Sequence, residues 1–167
     1  MTAIPPDDSV TRLILRHALA TLAYRASKTV RDAPETFAVY RVTADSPSPQ
    51  EIMAHMGDLM DWALTMAEGS PKWSRSKPLS WNDEINRFFT TIQRFDDYLE
   101  SGLPIAWDPG RIFQGAIADA LTHAGQLAML RRLSGHKIKG ENYAKAPITV
   151  GKVSIDQMPT DAANEFE

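Results

Sequence analysis

Apolar residues recur every three or four positions in four stretches of the chain, the spacing at which one face of an α-helix turns toward a core. The first stretch runs from about Asp8 to Arg31, with Val10, Ile14, Leu15, Leu19, Leu22 and Ala26 in its stripe. The second opens at Pro49 and continues to about Ala67, ending near Gly69. Ser48 stands there as N-cap, Pro49 suits the first helical position, and Glu51 sits where a capping box needs a carboxylate. The third begins at Ser80, carries Ile85, Phe88, Phe89, Ile92, Phe95 and Leu99, and stops at Gly102. The fourth extends from about Pro109 to Leu133 and closes on Ser134–Gly135.

Between these stretches "DAPETFAVYRVTADSPS", "SPKWSRSKPL" and "LPIAWDPGR" break the periodicity with prolines, serines and β-branched residues. The segment after Gly135 is too rich in turn residues for a fifth long helix. An extended flap packed on the helices, with room for a short strand pair, is expected there, followed by an acidic frayed end. The predicted fold class is all-α, a four-helix bundle with an irregular extended C-terminal segment. One domain is expected over residues 1–153 and a flexible acidic tail over 154–167.

Two polar groups disturb the pattern. At about 100° per residue, Asp119 and His123 share a sector with Ile112, Ala116 and Leu130 and look inward at one margin of the apolar face. On the second helix His55 shares its angle with Leu59, Trp62 and Met66, while Asp58, Asp61, Thr65 and Glu68 turn away. A lone inward histidine is more often a hydrogen-bonded core residue than a ligand, and D-x-x-x-H recurs by chance. Together, however, two helices presenting inward ligands are what a metal site in a bundle requires. Positions i and i+4 are side-chain neighbours, and a facing histidine completes a three-ligand set with an open position, the catalytic rather than the structural pattern. Gln126, one turn past His123, is a candidate to orient a ligand, and equally an ordinary surface residue. Trp62 is a candidate cavity wall, whereas Trp81 and Trp107 read as packing residues. His17 reads as structural, His136 as exposed, and Asp96 and Asp97 as solvated, with Asp96 flanking the third stripe.

Composition narrows the function classes. The 167 residues suffice for one well-buried core, and a net charge of −3 argues against a nucleic-acid partner. There is no cysteine, which excludes disulfides, thiolate metal sites and a cysteine nucleophile. The start "MTAIPPDDSV" has no signal-peptide pattern, and no apolar run approaches the ~20 residues that cross a bilayer. A cytoplasmic protein with no membrane contact is expected. Met53, Met56, Met60 and Leu64 widen the apolar surface of the second helix beyond one core contact, which points to a homodimer.

"IMAHMGDLMDWAL" combined with "DALTHAGQLAMLRRLSG" resembles the DinB-like (YfiT-like) superfamily of metalloenzymes, and "HKIKGENYAKAPITVGKV" is similar to the tail of such proteins. The similarity spans the first helix to about Val153. It implies a four-helix bundle with one metal-binding histidine on the second helix and an H-x-x-x-H pair on the last. Those positions correspond to His55 and His123, with Asp119 replacing the first histidine of the pair. A carboxylate in that slot is also seen in the branch resembling mycothiol-dependent maleylpyruvate isomerase, which uses glutamate. An anionic ligand makes the ion a weaker Lewis acid, and a mixed N,O set suits zinc or nickel, and also iron or manganese, better than copper(I).

The resemblance implies a thiol-dependent transferase or isomerase acting on a small-molecule substrate. With no cysteine in the chain, the sulfur would come from a low-molecular-weight thiol cosubstrate. A metal-dependent hydrolase is the enzymatic alternative, and a non-catalytic stress-response or binding bundle with a degenerate site is the other.

Overall fold

The computed structural model describes residues 8–167; the first seven, part of the stretch read for a signal peptide, lie outside the described residues. Its helices are α1 (Asp8–Val30), α2 (Glu35–Ala38), α3 (Pro49–Ala67), α4 (Trp81–Glu100), α5 (Pro109–Ile112) and α6 (Ala118–Leu133). A π-helical turn, Phe113–Ile117, joins α5 to α6, so the fourth expected helix is present but not regular throughout. Two short strands, β1 (Gly140–Glu141) and β2 (Glu165–Phe166), pair antiparallel, Gly140 opposite Phe166. The described chain is thus mostly helical with one small sheet, and no helix in it is long and apolar enough to cross a membrane.

Local chemistry sets the helix ends. The Ser48 hydroxyl accepts from the Glu51 N–H while the Glu51 carboxylate accepts from the Ser48 N–H, the reciprocal capping box expected there. Ser80 caps α4 by accepting from the Asp83 N–H, and Asp108 caps α5 by accepting from the Arg111 N–H. Gly102 and Gly135 follow α4 and α6 at φ 74° and 82°, a left-handed backbone in which a Cβ would be strained.

One apolar cluster collects Leu19 and Leu22 of α1, Met53 and Met60 of α3, Phe88, Ile92 and Phe95 of α4, and Ile112 and Leu127 beyond them. Several expectations change in its light. Val10 and Ile14 are exposed, with Leu13. Arg12, Leu15, Leu19 and Leu22 form the inner face of α1, and at ~100° per residue Val10 and Ile14 fall on the opposite side. Met53, Met56, Met60 and Leu64 are all buried within the chain's own core, so their width no longer argues for a second copy. The first connector is not wholly irregular, because α2 forms in it and drives Phe37 into the core, edge-on to Trp81 at 5.8 Å.

Burial of charge departs furthest from expectation. Asp96, read as solvated, is buried and takes a bidentate bond from Arg16 at 2.9 and 2.9 Å. Arg131, within the basic pair that closes α6, is buried too and donates to the Thr29 and Arg31 carbonyls at the end of α1. Asp58, expected to face solvent, is 2% exposed, and Glu84 of α4 is 0% exposed. Arg87 serves both carboxylates, Nη1 donating to Asp58 Oδ1 and Nε to Glu84 Oε2, each at 2.9 Å, while Nη2 donates to the Ala54 carbonyl. The guanidinium lies flat over Gly57, where a Cβ would stand 2.8 Å from its central carbon. A mid-helix glycine costs ~1 kcal/mol against alanine, and here it opens the space this close approach needs.

The C-terminal segment returns across α1. Lys28 pairs with Glu141 and Glu165, Arg31 donates to the Ile155 and Gln157 carbonyls, and Val153 is fully buried. The acidic end expected to fray carries β2 and an ion pair between Lys137 and Glu167.

Truncating Arg87 to alanine strands two buried carboxylates. Such a loss costs roughly 3–5 kcal/mol, so Arg87→Ala is expected to lower the urea midpoint sharply with far-UV helicity retained below it. A midpoint within experimental error of the parent would show that the two carboxylates find other partners.

Candidate metal centre

His55 stands in the middle of α3, whose register is set by the capping box at Ser48 and whose inner side is held by Ile52, Met56 and Leu59. Asp119 and His123 lie in the first two turns of α6. The inner line of α6 is Ala120, Ala124, Leu127 and Leu130, so both ligand candidates sit one residue off that line, at the margin expected of them. The π turn directly precedes them, with the Ala118 N–H bonded to the Phe113 carbonyl, five residues back. That wider turn fixes where α6 begins its register, and single π turns are frequent next to functional groups. It also invalidates angles counted across it, so Ile112 and Ala116 are buried for reasons a uniform 100° step does not capture.

The three side chains meet between α3 and α6. His55 Nε2 is 3.6 Å from Asp119 Oδ2, and His123 Nε2 is 3.5 Å from Asp119 Oδ1. The imidazoles approach each other edge to face at 4.7 Å between centroids. One ligand atom from each residue lies within 4.8 Å of the others, and the group could hold a metal ion. The Asp119–His separations bear on both readings of the cluster. They exceed the ~2.7–3.2 Å of a good hydrogen bond. They are of the size expected between ligand atoms around one ion, roughly 3.4 Å for bonds of about 2.0–2.2 Å at a tetrahedral angle, with His55 nearest one Asp119 oxygen and His123 nearest the other. The mutually hydrogen-bonded Asp119–His123 pair is therefore not what the geometry contains.

Gln126 supplies the orientation. Its Oε1 is 2.8 Å from His123 Nδ1, and an amide oxygen only accepts, so Nδ1 is the donor of that bond and in the neutral imidazole Nε2 is the nitrogen with the lone pair, on the side of Asp119. Asp119 is 44% exposed at its side chain, His55 34% and His123 18%, which places the group at the open edge of the helix pair rather than in a sealed core.

That edge opens on a cleft of about 700 Å³ whose wall includes His55, His123, Asp58, Trp73, Arg75 and Arg41. Trp73 lies edge-on to His55 at 5.7 Å and to Trp62 at 5.5 Å. Trp62 backs Trp73 and packs against the π turn, within 3.5 Å of where a Gly115 side chain would begin. Trp62 thus supports the wall, and Trp73 forms it. Glu51, also on the wall, is held below the ordinary carboxylate range by its bond from Arg41 and by the Ser48 N–H, so it stays ionised and pairs with Arg41.

Sequence periodicity missed the loop that carries Trp73. The backbone from Ser70 to Ser80 is irregular but anchored: the Lys72 N–H donates to Thr65 Oγ1, the Ser76 N–H to Asp58 Oδ2 at 2.9 Å, and the Leu79 N–H to Glu84 Oε1 at 2.8 Å. A tryptophan in a stretch otherwise made of Ser, Pro, Lys and Arg with one leucine was the available signal. His17 and His136 are exposed, and neither joins the cluster.

No protein-family model matches this sequence, and comparison with known proteins and solved structures finds no match either.

Removing the Gln126 acceptor leaves the His123 tautomer free. Gln126→Ala is expected to weaken zinc binding by about 10–100-fold while leaving thermal stability of the metal-free protein unchanged. Calorimetric titration measures it, and an affinity equal to the parent's would make Gln126 a plain surface residue.

Proposed function

We propose that this chain is a divalent-metal-binding protein of the DinB-like type, a four-helix bundle in which His55, Asp119 and His123 hold the ion. The observation that carries the reading is the convergence of His55, Asp119 and His123, one ligand atom of each within 4.8 Å of the others, with Asp–His separations of 3.6 and 3.5 Å that are longer than good hydrogen bonds. Two imidazoles and one carboxylate suit zinc or nickel, and also iron or manganese. Three protein ligands at the edge of a cleft leave a position open toward small molecules, which favours a catalytic over a structural centre.

The proposed activity is a thiol-dependent transfer or isomerisation. The chemistry a divalent ion supplies in such a set is Lewis acidity toward a thiol or a water. The chain has no cysteine, so the thiol is a low-molecular-weight cosubstrate. Asp119 offsets one ionic charge, Gln126 fixes the His123 donor atom, and Trp73 shields one side of the site from water. The same open edge also admits water as the attacking group, and a hydrolase is the second reading. A panel of thiols and electrophiles, assayed beside ester substrates with several metals, separates the two.

Protein purified without added metal or chelator is expected to contain one equivalent of a divalent ion, or to take up one of zinc or nickel. The parent is expected to gain about 2.7 kcal/mol at a free zinc concentration one hundred times Kd. His55→Ala and His123→Ala are expected to lose that gain, and Asp119→Ala to bind at least roughly tenfold more weakly. Metal-free protein that zinc and nickel neither bind nor stabilise would leave a non-catalytic bundle. Unchanged affinity in Asp119→Ala would remove it as third ligand.

A further inference from the structure

The cleft beside the proposed centre has a second pole. Two guanidinium groups line it, and they are not equivalent. Arg41 is engaged, donating to the Glu51 carboxylate and to the Ser46 carbonyl. Arg75 is exposed on the wall and has no hydrogen bond or ion pair among the described residues. The carboxylates nearby are accounted for in the same way. Of the carboxylates lining the cleft, Glu51 is paired with Arg41 and Asp58 with Arg87, leaving Asp45, with Asp119 behind the wall against His55 and His123.

Arg75 is held at this place by its neighbours in the chain. The Ser76 N–H is tied to the buried Asp58, and Trp73, two residues before Arg75, lies against His55 and Trp62. Trp73 and Arg75 both line the cleft. The loop from Ser70 to Ser80 carries Lys72, Arg75 and Lys77 and no acidic residue, in a chain of net charge −3. A basic loop with one unpartnered guanidinium and a tryptophan beside it is a surface for an anion with an apolar body.

We propose that the cleft takes carboxylate-bearing small molecules, with Arg75 binding the carboxylate and Trp73 covering the body next to it. The proposal rests on the cleft being the working site described above and assigns the substrate class of that site. A guanidinium meets a carboxylate through two parallel N–H···O bonds. One free guanidinium, in a cleft that also holds Asp45, matches a single negative charge better than the double charge of a phosphate ester.

The test uses metal-free full-length protein, so that it reads Arg75 separately from the ion. 2-Naphthoate, neutral 2-naphthamide and 2-naphthyl phosphate are titrated into parent, Arg75→Gln and Arg75→Lys. Binding is located by the four tryptophan indole N–H signals in a nitrogen-15 correlation spectrum. Naphthoate is expected to shift the Trp73 signal and to bind roughly tenfold tighter than the amide. Arg75→Gln is expected to abolish that preference, and Arg75→Lys to retain part of it. Equal affinity for acid and amide, or a preference that survives Arg75→Gln, overturns the proposal. Tighter binding of the phosphate ester overturns the carboxylate class. Zinc titration of the same three proteins is expected to give equal affinities. Zinc failing to bind while the naphthoate preference holds would refute the metal reading alone.

Discussion

One guanidinium between two buried carboxylates governs the part of the structure that matters for function. Arg87 binds Asp58 on α3 and Glu84 on α4 with one oxygen of each. The other oxygens take the Ser76 and Leu79 amides of the connecting loop. Buried carboxylates left without this cation would cost several kcal/mol each, so the helices and the loop are held in one arrangement. That arrangement puts Trp73 against His55 and Arg75 on the wall of the cleft. Gly57 belongs to the same constraint, because the guanidinium occupies the space a side chain there would fill.

At the start of α6 the π turn plays the corresponding part. A run of ordinary α-helix from Pro109 onward would give α6 a different rotation about its axis. The five-residue turn at Phe113–Ile117 lets Ile112 stay in the core while Asp119 and His123 face His55. The site is thus built where two local departures from regularity meet, a pinned loop and a widened turn. Neither adds a candidate ligand, but both determine where His55, Asp119 and His123 stand.

This division explains what could be read from the chain. The ends of α3 and the cap at Ser80 were legible because they depend on residues within four positions of one another. Asp119 and His123 were legible as a pair for the same reason, and His55 because the stripe of α3 is regular. Asp58 and Asp96 were misread as solvent-facing because their partners, Arg87 and Arg16, lie 29 and 80 residues away in sequence. Val10 and Ile14 were misread because apolar character alone does not say which side of α1 the core chooses. The loop bearing Trp73 and Arg75 has no periodicity at all, so only the fold could show where it lies.

The central claim is that His55, Asp119 and His123 share one ion, and anomalous diffraction at the zinc edge from crystals grown with zinc tests it directly. A peak is expected about 2.0–2.2 Å from His55 Nε2, His123 Nε2 and one Asp119 oxygen, with Gln126 still on His123 Nδ1. A difference map with no peak between these atoms, or with zinc seated at other residues, would contradict it.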